Sequence, residues 1–178
     1  MNLPPREESQ ELLEKYIDGK ALLHHSQMVA TAMAAYAQKF GENKELWYQT
    51  GLLHDLDWEK YPDEHPNKAI NDLLTDYPEL MIEAIKAHAP NRTGKNPENK
   101  LERYLFACDE LSGFINAYSL MRPNGLTGMK ASKVKKKLKD TSFAAGVSRE
   151  DVAQGFELIE EESAAHIQFL ITTFMEMK

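Results

Sequence analysis

The chain has 178 residues, of which 42% are hydrophobic and 28% charged, with a formal net charge of −7 and a single cysteine. This length fits one ordinary globular domain. The acidic balance argues against binding to duplex nucleic acid, one cysteine excludes an internal disulfide, and no apolar run approaches the roughly 20 residues of a membrane span. Because residues 1–16 lack the apolar segment of a signal peptide, we expect a cytoplasmic protein.

Helical periodicity dominates the chain, and strand-like alternation is nearly absent. The predicted fold is therefore all-α: a single compact domain over residues 1–178, with a core of candidate ligands at roughly 20–121 and a helical extension at roughly 122–178. Glycine and proline explain the breaks between the elements. Helices are predicted at about 9–18, 20–40, 43–58, 66–76, 78–89, 98–121, 130–139 and 149–176.

Two adjacent histidines lie near the start of the second predicted helix, and helical periodicity separates them. Steps of three and four residues from His24 follow a mixed face. The same steps from His25 follow an apolar stripe of Met28, Val29, Ala32, Met33 and Tyr36. We therefore expect the side chain of His25 to point into the core.

A His54-Asp55 doublet lies within the next predicted helix. Adjacent helical side chains point about 100° apart, so both can reach one ion between them, and the second oxygen of Asp55 is then free for another ion. Gly51, one turn earlier, lowers helix propensity by roughly 1 kcal/mol relative to alanine. Close approach of a helix or ligand would explain this glycine, and chance is the alternative.

Three further residues are candidate ligands. His88 ends the apolar face of a short helix, and Asp109 is in register with leucines, whereas its neighbour Glu110 is expected to face solvent. His65 precedes Pro66, where Ser, Thr, Asp or Asn would be the usual helix cap. Each histidine alone fits a core residue bonded to a backbone carbonyl or an exposed loop residue.

The ordered set resembles the HD-domain superfamily of metal-dependent phosphohydrolases, named for the His-Asp doublet. Imidazole and carboxylate ligands together suit Mn, Fe, Co, Ni or Zn better than Ca or Mg. Residues 51–58, 109–113 and 134–138 resemble the small bacterial branch labelled "HDIG domain protein". One departure is that many relatives carry glycine and lysine shortly after the doublet, where Asp57 and Trp58 stand here.

The resemblance implies hydrolysis of a nucleotide-like or other small phosphoester by a metal-activated water, with His54 and Asp55 at the catalytic centre. One ion would be held by His25, His54, Asp55 and Asp109. A second would use His65 and His88, with Asp55 as the bridge. The expected cofactor is one or two divalent ions of Mn, Fe, Ni, Co or Zn. A di-iron oxygenase and a non-catalytic metal-binding domain are the alternatives.

Basic residues outside this set are candidates for holding the substrate phosphate: Arg92 and Lys95 after His88, and Arg122 before a proline. The lysine-rich segment 130–139 is interpreted as a solvated surface helix. The expected partner is a small phosphorylated substrate, without membrane or duplex nucleic acid. The apolar face of the last helix, which includes Phe169, fits a buried core and a homodimer interface equally well.

Two further residues are given structural interpretations. His166 is predicted to be half-buried, with a possible ion pair to Glu162 at spacing i, i+4. Asp57 and Glu59 are near enough to the doublet to orient an imidazole, but a solvent-facing acid is the preferred interpretation of Asp57.

Overall fold

The computed structural model describes residues 3–177, which form helices joined by turns and loops, with no strand among them. The predicted all-α fold is confirmed. None of the helices in this range is long and apolar enough to span a membrane. They are α1 (Arg6–Tyr16), α2 (Lys20–Phe40), α3 (Lys44–Leu53), α4 (Glu79–His88), α5 (Pro90–Thr93), α6 (Lys100–Leu120), α7 (Ala131–Leu138), α8 (Arg149–Leu158) and α9 (Ser163–Met175), with a π-helical segment at Ala69–Leu73.

Helices α2 and α3 form the tightest pair in the fold. Gly41 ends α2 in the left-handed conformation at φ 69°, and the Asn43 side chain accepts the Leu46 amide at 3.0 Å to begin α3. At the centre of the pair, a Cβ on Gly51 would lie 2.8 Å from the Cα of Ala30. Gly51 is therefore required by the close approach of a helix.

The core lies between α2, α3, α4, α6 and α9, and it includes the stripe predicted on α2. Met28, Val29, Ala32, Met33 and Tyr36 are all buried. His25 points inward from the same face, while His24 is exposed. Removing these apolar surfaces from water stabilises the helix pair and fixes the rotation of α2.

Two predicted helices near the doublet are shorter than expected. α3 ends at Leu53 rather than residue 58, and the chain continues in turns, with the Leu56 amide donating to Leu53 O at 3.2 Å. The helix predicted at 66–76 is a π-helical segment over Ala69–Leu73. The Asp57 carboxylate accepts the Ala69 amide at 2.8 Å, which occupies the first donor of this segment.

The long helix predicted at 149–176 is two helices, α8 and α9, separated at residues 159–162. Ile159 is extended, at φ −98° and ψ 148°. Three glutamates follow, at residues 160–162. Acidic side chains are unfavourable at the negative end of the α8 dipole and favourable at the positive start of α9, so they disfavour a continuous helix and stabilise one that begins after them.

His166 is fully buried, which corrects the prediction of a half-buried residue paired with Glu162. Its Nδ1 lies 2.5 Å from the Tyr36 hydroxyl and its Nε2 lies 3.1 Å from Ala107 O. Because the carbonyl only accepts, Nε2 carries the proton and Nδ1 accepts from Tyr36. Burial lowers the pKa of His166 to about 4.

The free energy of unfolding is expected to decrease as the pH is lowered below 6.5, because His166 is buried in its neutral form. The unfolded chain takes up a proton near pH 6.5, but the folded protein does so only near pH 4, so this contribution is full above 6.5 and declines below it. Between pH 6.5 and 5 the loss should be about 2 kcal/mol. Urea unfolding at both pH values checks this, and His166→Gln should flatten the dependence. Equal slopes in variant and wild type would contradict it.

Candidate metal centre

Four predicted ligands from three helical elements converge at one point. His25 lies on α2, His54 directly follows α3, Asp55 follows it, and Asp109 lies on α6. The Nε2 of His25 is 2.9 Å from Asp109 Oδ1, and the Nε2 of His54 is 3.3 Å from the same oxygen. All four ligand atoms lie within 4.8 Å of one another, which is close enough for one ion to bind all of them.

A second cluster shares Asp55 and adds His65 and His88. The Nε2 atoms of these two imidazoles are 3.2 Å apart, and each lies 3.6 Å from Asp55 Oδ1. Both histidines are buried. The structure therefore brings all six predicted ligands together, although they are spread over 85 positions from His25 to Asp109.

The two oxygens of Asp55 face different clusters. Oδ2 is directed to the first, at 3.3 Å from His54 Nε2 and 3.8 Å from His25 Nε2. Oδ1 is directed to the second, where it approaches His65 and His88. This division of one carboxylate between two groups of imidazoles is the arrangement that a bridging ligand requires.

Backbone carbonyls fix the tautomers of two site histidines. His54 Nδ1 donates to Gly51 O at 2.8 Å, and His88 Nδ1 donates to Ile85 O. The Nε2 of each neutral ring is then an unprotonated acceptor. Without a proton or a metal cation, this lone pair would face His65 Nε2 in the case of His88 and two carboxylates in the case of His54. Lone pairs that face one another repel unless positive charge lies between them. The imidazole nitrogens and carboxylate oxygens of the two clusters therefore fit a metal cation.

The electrostatics of the cluster favour positive charge in the same way. Burial works against a charged His54, but Asp55 and Asp109 outweigh it and raise the pKa of His54 well above its usual range. Burial alone would raise the pKa of Asp55, yet His54, followed by His88 and His25, holds it well below the usual value. Two carboxylates thus stay ionised inside the protein and favour a cation.

Asp57 orients His65, a role that the sequence allowed but that was not the preferred interpretation. The prediction of a solvent-facing acid is wrong, because Asp57 is fully buried and its Oδ1 lies 2.7 Å from His65 Nδ1. Its other oxygen accepts the Ala69 amide. Glu59 instead accepts the backbone amides of residues 18 and 19, away from the imidazoles. A carboxylate behind an imidazole makes Nε2 a better metal ligand.

Asp57→Asn should weaken metal binding at the second cluster by about 10- to 100-fold, because His65 loses its charged acceptor. Titration of the metal-free protein with Mn²⁺ would measure this, with the first cluster expected to change little. The exposed neighbour Glu59 offers a control, and Glu59→Gln should leave both affinities unchanged. Equal affinity in Asp57→Asn and wild type would contradict the role of Asp57.

The clusters open into a cavity of about 360 Å³. Of the three basic residues predicted to hold phosphate, Arg92 lines this cavity, while donating to Pro62 O at 2.7 Å and to His65 O at 3.2 Å. Lys95 and Arg122 do not line it, and their role in holding phosphate stays a prediction. Lys95 instead lies 3.3 Å from Glu102, and Arg122 donates to carbonyls of its own loop.

Two acidic residues complete the wall of the cavity. Glu110 lines it, contrary to the predicted solvent-facing position, and burial together with Asp109 raises the pKa of Glu110 to about 7. Asp151, in the first turn of α8, lines it as well. In the sequence Asp151 is indistinguishable from an acid that complements a helix dipole, so no signal singled it out.

Comparison with protein families gives a match. A family model described as "HD domain" matches residues 22–113, which is 92 of the 178 residues and just over half of the chain. All six clustered residues lie inside this range, whereas Asp151 lies outside it. Searches of curated proteins and of solved structures gave no significant match. The narrower HDIG branch stays a prediction.

Proposed function

The chain belongs to the HD domain family, and on this basis we propose that it is a metal-dependent phosphohydrolase acting on a small phosphoester. Members of this family are generally metal-dependent hydrolases. The observation that supports the proposal best is the position of Asp55, whose two oxygens divide between two groups of imidazoles. A structural metal site would be expected to have a closed shell, whereas these clusters open into a cavity.

In this proposal, His25, His54, Asp55 and Asp109 hold one divalent ion, and Asp55, His65 and His88 hold the other. When bound, such ions supply positive charge to a phosphoryl oxygen and acidify water. The carbonyls of Gly51 and Ile85 and the carboxylate of Asp57 keep three imidazoles in fixed orientations. This preorganisation lets the site stabilise developing charge without first rearranging.

Arg92 is the residue proposed to orient the phosphate. Its Nη1 is tied to the two carbonyls beside the second cluster, and its guanidinium lies 5.4 Å from the centre of the Trp58 ring. Other donors of the planar group are then available to a phosphoryl oxygen in the cavity. Arg92 therefore acts both on the position of the His65 loop and on the substrate.

The proposal is tested by release of inorganic phosphate from p-nitrophenyl phosphate and a panel of small phosphomonoesters, and by release of the alcohol from small phosphodiesters. Protein reloaded with Mn²⁺ should release phosphate without oxygen, and chelation should lower the rate by about 100-fold or more. His25→Ala should lower it by a similar factor, whereas the adjacent, exposed His24 offers a matched control, and His24→Ala should not lower it.

Two outcomes would count against the hydrolase. Iron-loaded protein that consumes O₂ on a polyol or phosphonate, while releasing no phosphate from esters, would indicate the oxygenase. A metal that cannot be removed without unfolding, with no phosphoester hydrolysed, would indicate a structural site.

A further inference from the structure

Helix α8 brings a second acid to the wall of the metal centre. A Cβ on Gly155 would lie 2.9 Å from the Cα of Ala107, and the Ser148 amide donates to Glu110 Oε2 at 3.0 Å. Gly155 of α8 therefore lies beside Ala107 of α6, while Ser148, at the start of α8, lies beside Glu110, further along α6. The two helices run antiparallel. This packing places Asp151, in the first turn of α8, on the same cavity wall as Glu110.

Both acids retain free acceptor capacity. Neither Glu110 nor Asp151 forms an ion pair with any residue in the described part of the chain. Glu110 accepts one backbone amide through Oε2, and within residues 3–177 its Oε1 and both oxygens of Asp151 accept no hydrogen bond. Partly buried carboxylates without donors are costly, and donors from a ligand would relieve that cost.

The charges around the cavity are unevenly divided. The metal centre and Arg92 are the features that attract a phosphate group, while the carboxyl groups of Glu110 and Asp151 add hydrogen-bond acceptors and negative charge to the remaining wall. A phosphate at the metal centre leaves the alcohol part of the ester to meet this wall. Hydroxyl or ammonium groups would complement the carboxylates, whereas a second phosphate would be repelled by them.

We propose that the substrate is a phosphoester whose alcohol part carries hydrogen-bond donors, hydroxyl or ammonium, and no second phosphate, with Glu110 and Asp151 selecting it. The inference rests on the proposed function for the position of the phosphate. It goes beyond that function because it assigns part of the specificity to Asp151 on α8, which lies outside the residues 22–113 that the family model matches. Charge-assisted hydrogen bonds to one or two carboxylates should favour such ligands by about tenfold or more.

Phosphonates test this selectivity apart from turnover, because a C–P bond is not hydrolysed as an ester. Calorimetry on Mn²⁺-loaded protein under anaerobic conditions would compare butylphosphonate, its vicinal-diol derivative, its terminal-amine derivative, and butane with a phosphonate at each end. We expect the diol or the amine to bind about tenfold tighter than butylphosphonate, and the bisphosphonate to bind least tightly. Whichever of the diol and the amine binds more tightly identifies the hydrogen-bond donor, hydroxyl or ammonium, that the site prefers.

Substitution of the wall then assigns the selectivity. Asp151→Asn and Glu110→Gln should each reduce the preference for the donor-bearing ligand by about fivefold to tenfold and improve relative binding of the bisphosphonate. Glu150 is exposed and adjacent to Asp151 but does not line the cavity, so Glu150→Gln should preserve the wild-type order.

The two proposals fail in different ways. Equal binding of all four phosphonates, tighter binding of the bisphosphonate, or no binding of any of them would overturn the selectivity. Phosphate release from esters could still be observed in each case, and the hydrolase would then stand. Selective binding without hydrolysis of any phosphoester would instead support the selectivity and contradict the hydrolase.

Discussion

Asp55→Asn is expected to abolish phosphate release, with a fall of about 10³-fold or more, and to lower the metal content at both clusters. The carboxylate of Asp55 approaches four imidazole nitrogens, at 3.3 to 3.8 Å, and serves both groups at once. An amide of the same shape lacks the negative charge and one acceptor oxygen. Phosphate assays and metal analysis of the same preparation would measure the two effects together.

Asp63 provides the control for this substitution. It lies eight residues further along the same segment and is exposed, so Asp63→Asn should match wild type in both assays. A substitution at Asp109 should affect mainly the first cluster, because its Oδ1 approaches His25 and His54. Full metal content and unchanged activity in Asp55→Asn would contradict the bridging role.

Gly51→Ala is expected to lower the free energy of unfolding by about 3 kcal/mol, through overpacking of α2 against α3. The added methyl group would lie 2.8 Å from both the Cα and the N of Ala30, and backbone atoms cannot rotate away as a flexible side chain can. The shift should also weaken metal binding, since Gly51 O accepts the hydrogen bond that orients His54. Equilibrium unfolding in urea would measure the loss.

Gly146→Ala is the matched control, because a Cβ at Gly146 would meet nothing within 4 Å and its φ is outside the left-handed region. We expect the stability of this variant to differ from wild type by less than about 0.5 kcal/mol. A Gly51→Ala protein as stable as the control would show that α2 and α3 can separate freely, and the argument for their close packing would be wrong.

The inward ligands on α2 and α6 were predictable because they depend on local periodicity. The apolar stripe that begins at His25 is buried, and His24 beside it is exposed. The register of Asp109 with leucines likewise placed its carboxylate against the core. A side chain's direction on a regular helix follows from its position in the sequence, so these expectations needed no knowledge of the tertiary structure.

The residues around the ligands were not predictable in the same way. Asp57 is buried because the chain leaves α3 at Leu53 and turns back, and a helix continued to residue 58 would have directed it elsewhere. Lys95 and Arg122 were candidates through charge alone, but ion pairs and loop carbonyls hold them outside the cavity. Asp151 reaches the site only through the packing of α8 on α6.

Metal content per chain tests the central claim most directly, that six residues form two clusters joined by Asp55. The protein would be stripped of metal, equilibrated with excess Mn²⁺, dialysed, and analysed for manganese and protein together. Asp55 approaches both clusters, so two tightly held ions per chain in wild type and fewer than one in Asp55→Asn are expected. Wild-type protein that retains no stoichiometric metal, or Asp55→Asn that retains two ions, would contradict the claim.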